Sequence, residues 1–335
     1  GRNEYGELGQ GHTNSLGDDA NEMGDNLPTV NLGSGRTVVK LGQGTYSNCA
    51  ILDNDQLKCW GRNEEGQLGY GDLVDRGDNA NEMGDNLPNV DLGAGRTAVD
   101  IVGGRYHNCV ILDNQELKCW GRNDDGQLGY GDANSRGDGA NEMGDNLLNI
   151  DLGTGRTAAS IILGRKFTCA LLDNQQVKCW GDNGYGQLGQ GDGSSRGDNA
   201  NEMGDNLPYV DLGTGRTALK ISSGVYHICA LLDNNLVKCW GRNQYGQLGL
   251  EDTSSRGDNA NEMGNNLPYV DLGTGRTALD IWSAEYWTCA KLDNYEVKCW
   301  GINDYGMLGY GDISNRGNDN NEMGDNLPYV NLLGP

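Results

Sequence analysis

Between Tyr226 and Trp240 the apolar residues fall on both faces of a two-residue alternation. Ile228, Ala230 and Leu232 lie on one side, and Cys229 and Leu231 on the other. A strand with one wet face would interleave polar residues, so this pattern predicts a sheet buried on both sides. Asp233-Asn234-Asn235 interrupts the run with side chains that suit a tight reversal, and Leu236 to Trp240 resumes it. A hairpin centred on Asn234 places Cys229 opposite Cys239 and Leu231 opposite Val237 on the same face. Thr217 to Ser222 and Pro268 to Leu272 are the other strand candidates, both short and bounded by Gly, Asn or Asp. No run of helical length is amphipathic.

The same text returns every sixty residues. Lys58 to Asn63, Lys118 to Asn123, Lys178 to Asn183, Lys238 to Asn243 and Lys298 to Asn303 share a Lys-Cys-Trp-Gly-x-Asn frame without a gap. The 335 residues form one repeat architecture with units 1–60, 61–120, 121–180, 181–240 and 241–300, then a partial unit 301–335. Short four-stranded sheets in tandem, each sandwiched between neighbours, describe an all-β fold: a β-propeller of four-stranded blades from 60-residue tandem repeats, five and a half in this chain.

The ten cysteines form five pairs, each ten residues apart: Cys49 with Cys59, Cys109 with Cys119, Cys169 with Cys179, Cys229 with Cys239, and Cys289 with Cys299. Cross-strand disulfides fit the hairpin register. Free thiols and zinc are the alternatives, although close Cys-x-x-Cys spacing and recurrent histidine partners are missing. Oxidised pairs imply an extracellular or secreted protein. Acidic residues outnumber basic ones by 48 to 25, for a net charge of −23, which disfavours nucleic acid and anionic membranes as partners. No run approaches the length of a membrane span.

Cys239-Trp240-Gly241-Arg242-Asn243-Gln244-Tyr245-Gly246-Gln247-Leu248-Gly249, with Gly224-Val225-Tyr226-His227 upstream, closely resembles the tandem repeat of the regulator of chromosome condensation family. The resemblance extends over all five and a half units and implies a propeller of about seven blades in typical members. Hairpin cysteines, an acidic balance and a long insert in every unit, such as Gly131 to Asn146, set this chain apart from the nuclear prototype. They point away from nucleotide exchange and chromatin binding, toward the secreted branch of the superfamily, which includes a bacterial inhibitor of β-lactamases.

The insert repeats an Asn-Glu-Met-Gly core six times. Its acidic and amide oxygens, from Asp138, Asn141, Glu142 and Asp145, are a candidate Ca²⁺ set. The structural reading has Asn141 and Asp145 capping backbone groups while Glu142 meets an arginine such as Arg156. Glycine opens the insert at Gly11, Gly71, Gly131, Gly191 and Gly311, and Glu251 takes that place in the fifth unit, which predicts a slightly altered turn. Arg-Gly-Asp occurs four times, as at Arg136 to Asp138, and reads as a repeated turn held by its own Arg and Asp before it reads as an adhesion signal. Trp60, Trp120, Trp180, Trp240 and Trp300 share one repeat position, suited to packing between sheets.

The turn that opens the hairpin varies most, so partner specificity is expected there. Its candidate contacts are Arg105, His107, Arg165, Phe167, His227, Trp282, Glu285 and Trp287. No nucleophile and base recur together, because His107 and His227 occupy a position filled elsewhere by Ser47, Phe167 and Trp287. The expectation is a non-enzymatic, structural or protein-binding module, with an inhibitor or lectin-like ligand binder as the alternative and a secreted hydrolase behind it. Residues 1–35 and 301–335 are the same half of the repeat and cannot complete each other. The missing half is expected either from a continuation of a longer chain or from a neighbouring molecule, and contacts of the second kind would assemble copies head-to-tail into filaments.

Overall fold

A computed structural model describes residues 1–331; residues 332–335, the last of the partial unit 301–335, lie outside the described residues. The hairpin register read from the sequence is the one adopted. In every repeat the two cysteines face each other, as at Cys229 and Cys239, with Leu231 opposite Val237. Asn235 closes that turn with φ of 61°, a left-handed conformation that asparagine tolerates better than most residues. All five cysteine pairs are joined as disulfides, with Cα atoms 4.0 to 4.1 Å apart.

Fifteen strands follow in five triplets: β1 (Val38–Gln43), β2 (Ser47–Leu52), β3 (Leu57–Gly61); β4 (Ala98–Gly103), β5 (His107–Leu112), β6 (Leu117–Gly121); β7 (Ala158–Leu163), β8 (Phe167–Leu172), β9 (Val177–Gly181); β10 (Ala218–Ser223), β11 (His227–Leu232), β12 (Val237–Gly241); β13 (Ala278–Ala284), β14 (Trp287–Leu292), β15 (Val297–Gly301). Each triplet is a three-stranded sheet in chain order. The described residues include six single 3-10 turns and no α-helix.

The expected fourth strand does not form. Pro268 to Leu272 touches β12 through one backbone bond, Val270 N–H to Val237 O at 2.9 Å, and the far end of β12 pairs instead with Arg256 through Gly241. Proline removes a donor at position 268, so the edge is shared between two separate segments rather than laddered by one. A bulge interrupts the inner strand of the pairs that begin at Val38, Ala98, Ala218 and Ala278. The extra residue turns outward, which accounts for exposed Val39, Val99, Leu219 and Leu279.

The chain divides into two compact units. One comprises Gly1–Lys166 with Gly197–Gly204, and the other Phe167–Arg196 with the chain from Asp205 onward. In the first, Cys49, Ile51, Leu57 and Cys59 pack against Val90, Leu92, Ile101 and Trp120 of the following repeat. In the second, Cys229, Leu231, Val237 and Cys239 pack against Val270, Leu272, Ile281 and Trp300 in the same way. Both hairpin faces are thus buried, one against each neighbour. The last sheet departs from the pattern: Lys291 stands where Ile51, Ile111, Leu171 and Leu231 are buried, and its ammonium lies 5.0 Å from the Tyr295 ring.

Candidate functional site

Two sets of loops were singled out by sequence, and the structure gives them different work. In the insert, Glu142 does not meet Arg156. Its Oε2 accepts hydrogen bonds from the backbone amides of Gly137 and Gly139, at 3.0 and 2.8 Å. Burial pushes Glu142 up, but the Gly139 amide and the Asp138 carboxyl outweigh it and hold the group below the usual range. Asp138 is raised, first by burial and then by its hydrogen bond with Glu142. The equivalent Asp78 reaches about 6 for the same reasons.

Asp145 turns away to the preceding repeat, where its Oδ1 accepts from the Ala94 amide at 2.9 Å, and Asn141 supplies a left-handed backbone with φ of 66°. The four candidate calcium ligands therefore do not converge. Among the described residues no group of three or more His, Cys, Asp or Glu is arranged to hold a metal ion.

The Arg-Gly-Asp arginine pairs with a partner other than its own aspartate. Arg136 Nη2 donates to Asp132 at 2.8 Å, Nη1 reaches the carbonyls of Asn134 and Ser135, and the guanidinium lies 5.5 Å from the Tyr130 ring centroid. The turn Gly66 to Gly69 of the preceding repeat nests against Gly137 and Asp138. Gly66 has φ of +73°, and a Cβ there would lie 2.4 Å from Asp138 N, so only glycine allows the approach. Glu251, by contrast, adopts φ of 58° like the glycines at its position. Its amide is without the bond that the Gly11, Gly71, Gly131 and Gly191 amides make to the following insert, as Gly191 N–H to Gly257 O at 3.0 Å, so the turn differs slightly as expected, and its Oε1 accepts from Met323 N at 3.0 Å.

Lysine in the Lys-Cys-Trp-Gly frame carries a role that the sequence did not disclose. Lys118 is buried and donates to Leu92 O at 3.0 Å and Gly144 O at 2.7 Å. Lys238 and Lys298 repeat the arrangement in the second compact unit. Burial lowers the ammonium of Lys118, and Asp145 works against that. The adjacent tryptophan ties the end of a repeat back to its own first turn: Trp120 Nε1 donates to Gln67 O at 2.9 Å, and Trp300 Nε1 to Gln247 O at 3.1 Å. The inserts are thus occupied by contacts within the scaffold.

The hairpin turns divide. His107, Phe167 and His227 are fully buried, so these three candidate partner contacts are unavailable. Each opens the central strand of its sheet and points inward. Burial drives both histidines down to about 3, and His227 Nε2 bonds Thr288 Oγ1 at 2.9 Å. Trp287, at the same position in the last sheet, is half-buried beside Cys289, Cys299 and Leu308, while Trp282 and Glu285 are exposed.

Arg105 and Arg165 are half-buried and belong to a cluster that sequence spacing did not show. Arginines and tyrosines alternate there in the first compact unit. Arg62 lies 5.0 Å from the Tyr5 ring centroid and 5.4 Å from that of Tyr46, Arg105 lies 5.1 Å from Tyr46 and 5.3 Å from Tyr106, and Arg122 lies 5.4 Å from Tyr106. Burial works to raise the Tyr106 phenol, but hydrogen bonds and charge from Arg105 and Arg165 outweigh it and lower the group. The second compact unit has a sparser version, in which Arg242 touches the rings of Tyr185, Tyr226 and Tyr286 at 4.9 to 5.6 Å.

Glycine turns that nest on the next repeat, an indole that closes each unit on its own first turn, and sheets that share their faces define a tandem-repeat β protein. Sequence models of the Regulator of chromosome condensation (RCC1) repeat match residues 38–67, 98–127, 159–187 and 219–247, and also 55–111 and 176–231. The chain belongs to the RCC1 repeat family. It is 31% identical over 224 residues to the Ultraviolet-B receptor UVR8 of Arabidopsis thaliana, a match covering 66% of this chain and 45% of the receptor. The chain thus spans less than half of that relative. Among solved structures it is similar to human WBSCR16, with a TM-score of 0.66, 19% identity, and coverage of 91% of this chain and 71% of that one. Prp20p of Saccharomyces cerevisiae gives a TM-score of 0.63 at 16% identity, covering 92% and 66%. At these identities the likeness carries the fold alone.

Proposed function

We propose that this chain is a secreted, disulfide-braced, non-enzymatic protein-binding platform with an RCC1-type propeller fold, whose specificity resides in the hairpin-turn cluster. The observation that carries the reading is the arginine and tyrosine cluster of the first compact unit. Those residue types dominate the energetics of protein interfaces, and here they are held in place before any partner arrives. Five disulfides support an oxidising compartment. The net charge of −23 argues for a protein partner over nucleic acid.

Peptides selected from a random displayed library on the full chain provide the test. The selected binders should lose affinity when Thr45-Tyr46 is replaced by Ala-Ala and keep it when Asp145 in the insert becomes Asn. Binders that respond only to the insert change would overturn the reading.

One observation bears on a second property: the first unit carries an apolar face that a hairpin of a longer chain or of a second copy would cover, the latter by head-to-tail self-assembly. Leu27, Val30 and Leu41 are exposed, whereas their counterparts Leu87, Val90 and Ile101 are buried by a neighbouring hairpin. Light scattering decides the self-assembly: a concentration-independent monomer would exclude it.

A further inference from the structure

Six basic side chains, Arg2, Arg62, Arg105, Arg122, Arg165 and Lys166, belong to the turn cluster of the first compact unit. Four of them are matched locally: Arg2 with Glu4, Arg62 with Glu64, Arg122 with Asp124 and Glu65, and Lys166 with Asp125. Arg105 is held differently. Its Nε donates to Tyr106 Oη at 3.0 Å and its Nη2 to Tyr46 Oη at 2.9 Å, and both rings lie against its guanidinium. None of the ion pairs among the described residues includes it.

Two neutral phenols therefore fix the fork of this guanidinium without cancelling its charge. A guanidinium has five N–H donors, and two here are engaged, which leaves N–H groups for a ligand. Such a fork matches a carboxylate in two-point geometry. The neighbouring ion pairs neutralise the nearest acidic groups, and salt screens the more distant negative charge of the chain within about 8 Å at physiological ionic strength. Charge and shape at this point thus favour an anion even on an acidic protein. The equivalent position in the second compact unit is Val225 in one repeat and Glu285 in the next, so the feature belongs to the first unit.

We infer that Arg105, cradled by Tyr46 and Tyr106, is the anchor for a side-chain carboxylate of an acidic partner peptide. This rests on the reading of the turn cluster as a protein-binding surface and adds the chemistry of the partner. Binding is steered by charge and finished by the two-point contact, so it weakens with salt and is sensitive to the shape of the cation.

The experiment uses the full chain and fluorescein-labelled octaglutamate, with octaglutamine as the neutral control, read by anisotropy at low and at about 150 mM salt. Octaglutamate should bind the wild-type chain and octaglutamine should not. Arg105→Gln should weaken binding by about tenfold or more. Arg96→Gln, which removes the same charge elsewhere in the same unit, should weaken it less than about twofold. Arg105→Lys keeps the charge and loses the fork, so it should fall between them, and thermal melts confirm that each variant folds. Equal binding of the two peptides, or equal losses in the two glutamine variants, would overturn the inference. Library-selected peptides that need Thr45-Tyr46 but show no acidic enrichment would leave the platform standing and remove only its acidic partner.

Discussion

The insert and the hairpin turn are both loops of every repeat, yet one is almost invariant along the chain and the other changes each time. The insert recurs because its partners recur: Glu142 closes on its own amides, Asp145 on the preceding repeat, and Lys118 on Gly144 O. A residue whose partner is a copied piece of backbone must itself be copied. The turns mostly meet other turns. Arg105 lies on Tyr46, whereas in the other unit the Val225 amide bonds Glu285 O at 3.0 Å. Sameness along the chain therefore reports scaffold contacts, and difference reports surfaces released from them.

The severest test of that contrast is at the scaffold side. Trp120→Ala should cost about 3–5 kcal/mol, since it removes a fully buried ring and its hydrogen bond to Gln67 O. Chemical denaturation followed by tryptophan-independent far-UV signal measures it. Lys118→Met should cost about 2–3 kcal/mol, because two buried carbonyls lose a charged donor. If Lys118→Met proves neutral, the ammonium is filling space and the insert is held by other means.

The carboxyl pairs of the insert give a subtler prediction. Asp78 is raised to about 6 by burial and by Glu82, so the folded chain keeps a proton that the unfolded chain has released. That contribution is fully present below the ordinary aspartate range and is lost as pH rises through about 6. Glu82 is held low and acts oppositely, its contribution being lost as pH falls through its folded value. The melting temperature should therefore decline between about pH 4 and pH 6, and Asp78→Asn should flatten its share of the decline. Asn318 already stands at this position in the last insert.

On the turn side, Thr45→Ala should change stability by no more than about 0.5 kcal/mol, while turn-dependent peptide binding changes measurably. A larger loss of stability would mean that the turns too are scaffold. Smallest of all, millimolar calcium against chelator should shift the melting temperature by less than about 1 °C, because Glu142 and Asp145 are engaged with different backbone amides and the proposed ligands do not converge.

Much of the sheet was legible from residues alone. The hairpin strands fall within one residue of their expected bounds, because period-two alternation and an Asp-Asn turn leave one register that buries both faces. The disulfides follow from that register, and so does the burial of the tryptophans. What escaped was anything decided between segments. Pro268 to Leu272 has strand-like composition, but its place on the edge is shared with Arg256. Variation at 107, 167 and 227 resembles surface drift, yet these side chains are fully buried, and His227 meets Thr288 there. The burial of the frame lysines has no sequence signal. Their carbonyl partners, 26 residues away, carry no side-chain signature.

The indole of Trp120 reaches back 53 residues to Gln67 O, and that of Trp300 spans the same distance to Gln247 O. Because each such link closes within one 60-residue unit, the loop to be closed stays one size however many repeats are strung together. The entropic cost of a closure depends on loop length, and folding speed falls as contacts become more distant relative to chain length. Lengthening the array thus adds closures without making any of them harder. As the chain emerges from the ribosome, each new indole meets a carbonyl that has already been synthesised, so the order of synthesis is also a workable order of folding.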